Sequence, residues 1–184
     1  MSKIGKRQII IPEGVEIDIK QNVVKIKGPK GETEFKFDEN FSIIKENNYL
    51  KIEPKEINKK TKALWGTYRS ILNNKIKGVT EGFKVNLILQ GLGYTAEKIS
   101  DRELSFKLGY SHPVKIEIPE DITVQIERGK EGFIISVIGT DKEKVGQFAA
   151  KIRSLKPRDS YKLKGFRFED EFVKAKQIKK SLGK

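Results

Sequence analysis

Phe133-Ile134-Ile135-Ser136-Val137-Ile138-Gly139-Thr140 is the stretch at which the chain changes its period. Residues 133–138 read as a strand, and Gly139 punctuates it. Beyond it Val145, Phe148, Ala149 and Ile152 recur at three- and four-residue spacing, which puts them on one face of a helix. Thr140 and Glu143 stand at capping-box spacing and mark the predicted helix start. The same passage from strand to helix occurs once earlier. Leu64, Tyr68, Ile71 and Leu72 share a helical face, Lys62, Arg69 and Asn73 fall elsewhere, and Gly78 is the predicted stop.

Each helix follows a series of short strands. Val15-Glu16-Ile17-Asp18-Ile19 alternates as a half-buried strand, and 23–27 follows. Gly28-Pro29-Lys30-Gly31 supplies the turn chemistry, since Gly permits φ > 0 and Pro fixes φ. Residues 34–37 and 49–52 alternate again. A second pass reads as strands over 85–89, 94–99, 104–108, 114–118, 123–126 and 133–138. The two passes also share wording. Ile11-Pro12-Glu13-Gly14-Val15 resembles Ile118-Pro119-Glu120-Asp121-Ile122, and Val24-Lys25-Ile26-Lys27-Gly28 resembles Ile135-Ser136-Val137-Ile138-Gly139. The separations, 107 and 111 residues, require a small insertion. Together these features predict an internal duplication. The expected class is α+β: two similar small domains, each an antiparallel sheet with a helix packed on one face. The expected bounds are 1–81 and 82–155, with a basic C-terminal extension over 156–184.

Charge divides the chain differently. Of 184 residues, 36% are hydrophobic and 34% charged, enough for modest cores, and the formal charge is +13. Residues 1–150 hold 26 basic and 21 acidic side chains, while 151–184 hold 12 and 4. More than half the net charge therefore lies in the last fifth of the sequence. Phosphates reward such a surface by counterion release, so a polyanion is the first expected partner. Cysteine is absent and His112 is the single histidine, which excludes disulfides, thiol nucleophiles and Cys-ligated metals and leaves little for His-based chemistry. No stretch approaches the roughly 18 apolar residues of a membrane span. The first eleven residues read as neither signal nor transit peptide.

Few motifs carry chemistry. Gly91-Leu92-Gly93-Tyr94-Thr95-Ala96 has the letters of a dinucleotide fingerprint, but that motif needs a helix next, and the following residues alternate as a strand. A tight hairpin or bulge is the better reading. Lys107-Leu108-Gly109-Tyr110-Ser111-His112-Pro113-Val114 joins two strands through a polar, aromatic loop. His112 has no carboxylate or nucleophile at suggestive spacing, so a general base is not expected, and Tyr110 and Ser111 are plausible phosphate or ribose donors. From Lys156 to Phe168 cations interleave with Tyr161, Phe166 and Phe168, a composition suited to phosphates, sugars and bases. Glu169-Asp170-Glu171 is expected to cap or balance nearby cations rather than hold a metal.

These residues together resemble the large-subunit ribosomal protein L six family of bacteria and organelles. The resemblance spans essentially the whole chain. It includes Ser2-Lys3-Ile4-Gly5-Lys6, residues 10–15, the hairpin 24–31 and Trp65-Gly66-Thr67-Tyr68-Arg69-Ser70, and extends to Gly93-Tyr94 and Leu108-Gly109-Tyr110-Ser111-His112-Pro113-Val114. The family's C-terminal Tyr-Lys-Gly-Lys-Gly signature is met by Asp159, Tyr161, Lys162, Lys164 and Gly165, whereas Arg158, Leu163 and Phe166 depart from it. Leu163 replaces a glycine, which predicts an altered backbone path.

The resemblance implies a non-enzymatic constituent of the large ribosomal subunit. It would bind 23S-like ribosomal RNA near the sarcin–ricin loop and the translation-factor site, beside neighbouring ribosomal proteins. It implies no cofactor, metal, membrane or small-molecule substrate. The expected RNA contacts are Arg69, Gly93, Tyr94, Tyr110, Ser111, His112, Lys156, Arg158, Tyr161, Lys162, Lys164, Arg167, Lys174, Lys176, Lys179 and Lys180. The Lys-, Ile- and Asn-rich composition suggests an AT-rich genome, so the expected setting is equally a bacterial cytoplasm or the matrix of a mitochondrion or plastid. The competing reading is a non-ribosomal RNA-binding or chaperone protein.

Overall fold

A computed structural model describes residues 3–177. The chain divides into two units, Met1–Phe83 with Thr140–Lys142 and Lys84–Gly139 with Glu143–Lys184.

The first unit contains β1 (Ile9–Ile10), β2 (Glu16–Lys20), β3 (Val23–Gly28), β4 (Gly31–Lys36), β5 (Phe41–Glu46), β6 (Tyr49–Pro54) and α1 (Lys59–Thr80). β2, β3 and β4 form an antiparallel meander, and β1, β6 and β5 a second antiparallel sheet. Alternation buries Val24 and Ile26 on β3 and Leu50 and Ile52 on β6 beneath Trp65, Leu72, Ile76 and Val79 of α1. The Trp65 indole N–H would be costly to bury unpaired, and it donates to the Ile52 carbonyl at 2.7 Å. Asn58 and Thr61 cap the start of α1 reciprocally. The end departs from the sequence expectation. Gly78 is buried within the helix, and the stop is Gly82, at φ +75, whose N–H reaches the Lys77 carbonyl.

The second unit contains β7 (Phe83–Gln90), β8 (Thr95–Ser100), β9 (Glu103–Lys107), β10 (Val114–Glu117), β11 (Ile122–Arg128), β12 (Phe133–Gly139), α2 (Lys142–Leu155) and β13 (Gly165–Phe168). β8, β9 and β10 form a meander, and the other sheet runs β11-β12-β7-β13. Val145, Phe148, Ala149 and Ile152 are the buried face of α2, as their spacing predicts. The helix begins at Lys142, so Asp141 rather than Thr140 precedes it.

Both units therefore repeat one order: a lead strand, a three-stranded meander, a hairpin and a helix. The lead strand lies beside the hairpin's second strand each time, β1 beside β6 and β7 beside β12. The chain is α+β with two similar domains. The two sequence echoes, however, pair positions that are not equivalent. Residues 11–15 lead into β2, whose counterpart is β8, while 118–122 lead into β11, whose counterpart is β5. Residues 24–28 lie in a meander and 135–139 in a hairpin. A Pro-acid turn followed by β-branched residues opens many strands, so such wording recurs without common position. The structural match pairs Gly14 with Gly93, at φ +81 and φ +79.

The segment after α2 is not wholly an extension. β13 pairs antiparallel with β7, setting Gly165 opposite Gln90 and Phe166 opposite Leu89. Phe166 is fully buried, and its ring meets Phe106 edge-on with centroids 5.3 Å apart. Arg153 and Glu171 form an ion pair, so Glu171 balances a nearby cation as expected, while the Glu169 carboxylate accepts from the neutral Asn86 amide at 2.7 Å. Phe166→Ala should cost about 3–5 kcal/mol. Chemical denaturation should show that loss, whereas Tyr161→Ala, an exposed ring a few residues earlier, should fall within about 0.5 kcal/mol of wild type.

Candidate nucleic-acid interface

The pairing of β7 with β13 brings three loops of the second unit to one end. β7 stops at Gln90, opposite Gly165, so the turn 91–94 leaves the sheet beside the segment that enters β13. Gly91 and Gly93 hold φ of +156 and +79, and the Tyr94 N–H donates to the Gly91 carbonyl at 3.2 Å. The chain then continues as β8. A strand rather than a helix follows the turn, so the chain does not supply the helix N-terminus that the dinucleotide fingerprint requires next. The Tyr94 ring packs over Gly91, where a Cβ would lie 2.6 Å from it, and beside Gly109, where a Cβ would lie 3.3 Å away. One ring thus ties the turn to the loop 108–113.

That loop is fastened in turn to the end of α2. The Tyr110 hydroxyl donates to the Leu155 carbonyl at 3.2 Å, and Lys156 Nζ stands 4.5 Å from the centre of the same ring. Ser111 and His112 are exposed at the loop's crest.

The third loop follows Lys156 and is closed by main-chain bonds. Phe166 N–H donates to the Lys156 carbonyl, Arg158 N–H to Phe166, Asp159 N–H to Lys164 and Leu163 N–H to Asp159, all between 2.8 and 3.0 Å. Asp159 organises the crest. Its carboxylate accepts the N–H groups of Tyr161 and Lys162 at 3.1 Å each, and these bonds hold its pKa below the ordinary value. Leu163 sits at φ +56. The backbone therefore takes a left-handed path here although the side chain is not glycine. Strain of about 1–2 kcal/mol is held there by the surrounding hydrogen bonds. Gly165 is different. A Cβ at this position would lie 2.5 Å from the Lys156 carbonyl oxygen and 2.6 Å from that of Pro157, so only glycine permits this closure.

The expected site residues separate into groups. Gly93, Tyr94, Tyr110, Ser111, His112, Lys156, Arg158, Tyr161, Lys162 and Lys164 belong to these three linked loops. Lys156, Arg158 and Lys164 make no ion pair among the described residues, and Arg158 Nε is buried without a hydrogen-bond partner among them. Arg167 instead turns into the protein. It pairs with Glu131 at 2.8 Å and donates to the carbonyls of Phe168 and Glu169. Arg69 lies in the first unit, half-buried, with long bonds of 3.4 Å to the carbonyls of Arg7 and Gln8. Lys176 returns to the third loop: its N–H donates to the Ser160 carbonyl at 2.9 Å, and its Nζ lies 5.9 Å from the Tyr161 ring. Lys174 is exposed, and Lys179 and Lys180 lie outside the described residues. Two residues of this face were not among the expected contacts. Lys107, exposed at the end of β9, resembles any strand lysine, and Asp159, which meets the family signature, shows its bracing role only once the loop is closed.

Two copies of one α+β fold, with a face of basic and aromatic loops on the second, define the class as a duplicated α+β protein. Comparison with known proteins gives the family. The profile described as Ribosomal protein L6 matches residues 11–82 and 90–169, one stretch for each strands-then-helix pass. Large ribosomal subunit protein uL6 of Persephonella marina (strain DSM 14350 / EX-H1) is 45% identical over 185 residues, covering all of both chains. The chain belongs to the ribosomal protein L6 family, whose members are structural rather than enzymatic components.

The loop should report its own bracing. Because the Asp159 pKa is lowered on folding, its contribution to loop order is complete above about 3.8 and disappears as pH falls through the folded value. The amide resonances of Tyr161 and Lys162 should titrate together, with a midpoint below 3.8. Asp159→Ala should abolish that shared titration while leaving the resonances of α2 unchanged.

Proposed function

We propose that this protein is a structural constituent of the large ribosomal subunit whose second unit clamps ribosomal RNA through the three linked loops. The family membership supports the ribosomal setting, bacterial or organellar, and neighbouring ribosomal proteins are partners of the same assembly. The observation that carries the RNA reading is the contrast among cations. Flanking Arg153 and Arg167 are paired with Glu171 and Glu131, while Lys107, Lys156, Arg158 and Lys164 on or beside the loops have no acid partner among the described residues. Unpaired cations beside exposed aromatic rings suit phosphate, ribose and unstacked bases.

The site on the RNA is a finer part of the proposal: the region of the sarcin–ricin loop and the translation-factor site. The mechanism is architectural. Rigid sheets present the loops, and the loops neutralise phosphates where RNA helices crowd together. Replacing Lys156, Lys162 and Lys164 together by Ala should lower affinity for large-subunit RNA and flatten the dependence of log K on log salt by roughly one unit per lost contact. The folded core should be unaffected. Sedimentation should then find the variant depleted from large subunits, and undiminished incorporation would contradict the reading.

A further inference from the structure

Leu92, on the turn 91–94 of this face, is the most exposed large hydrophobic side chain among the described residues, at 92%. It stands between Gly91 and Gly93, both at positive φ, on a turn closed by the Tyr94-to-Gly91 hydrogen bond. The Tyr94 ring beneath fixes that turn against the loop 108–113. The position is therefore held rather than loose, and none of the described residues covers it.

A scattered surface leucine ordinarily needs no explanation. The chain itself supplies a control here. The turn before β2 holds the same place in the strand order and also carries a glycine at positive φ, Gly14 at +81 against +79 for Gly93. The residue before that glycine is Glu13, also exposed. The turns differ one residue earlier, where Pro12 stands in place of Gly91, but a charged side chain is accepted beside a positive-φ glycine at this place in the fold. The neighbours of Leu92 are the loops that carry Lys107, Lys156 and Lys164. Among solvated cations, an apolar crest suits a surface that is anionic at its edges and apolar within, which describes the base and ribose faces of a nucleic acid flanked by phosphates.

We propose that Leu92 is an RNA-contacting residue that packs on an exposed base or ribose face while the surrounding lysines hold the adjoining phosphates. The proposal rests on the RNA-binding reading of this face and adds an apolar contact to it. Because that contact releases no counterion, its contribution should be independent of salt.

The experiment measures binding of the full chain to a large-subunit RNA transcript over a range of salt concentrations, comparing wild type, Leu92→Ala, Leu92→Met and Lys162→Ala. Leu92→Ala should weaken binding by roughly tenfold at every salt concentration, giving a line parallel to wild type. Leu92→Met should restore most of the loss, and Lys162→Ala should change the slope by about one. Wild-type affinity for Leu92→Ala would overturn the proposal while leaving the RNA reading standing. If that variant binds RNA normally yet is depleted from large subunits, Leu92 faces a protein and the proposal also fails. Absence of salt-dependent binding by wild type would overturn both readings.

Discussion

Burial of Phe166 is the constraint on which the candidate site depends. A fully buried aromatic ring edge-on to Phe106 draws the chain after α2 back into the second unit. The backbone must then pair somewhere, and it pairs with β7. That register sets Gly165 opposite Gln90, so the loop 156–165 and the turn 91–94 emerge side by side. Gly165 completes the closure, because no side chain fits against the Lys156 and Pro157 carbonyls. A hydrophobic contact thus determines where the cations stand.

Positioning then passes through aromatic rings with mixed duties. Tyr94 joins the first turn to the second loop, and Tyr110 joins that loop to the end of α2 and to Lys156. Asp159, an acid within a basic loop, lowers the local positive charge yet orders the backbone that displays Tyr161 and Lys162. Such bracing orders the loop backbone in the protein alone, which would lower the entropy cost of binding a partner there.

Much of the fold was legible because period and punctuation are local. The helical faces of α1 and α2, most strands of both passes and the α+β class follow from the spacing of apolar residues. β5 escaped because Ile43-Ile44 interrupts alternation, and β1 because two residues carry no period. The duplication is real in element order, but the echoes that suggested it match turn chemistry at unrelated positions. For the site, composition identified the cations of 156–168 without distinguishing their fates. Arg167 and Arg158 look alike in sequence, and only β13 turns one toward Glu131 and leaves the other at the loop. At Leu163 the sequence shows the missing glycine but not the conformation: the residue holds φ +56, and neighbouring hydrogen bonds offset a strain of about 1–2 kcal/mol.

The central claim is that the loops gathered by Phe166 form the RNA-facing surface. Crosslinking of intact large subunits, with the modified peptides mapped by mass spectrometry, tests it most directly. RNA adducts concentrated at residues 91–94, 107–112 and 156–164 are the predicted result. Adducts confined to the first unit, with these loops unmodified, would contradict it.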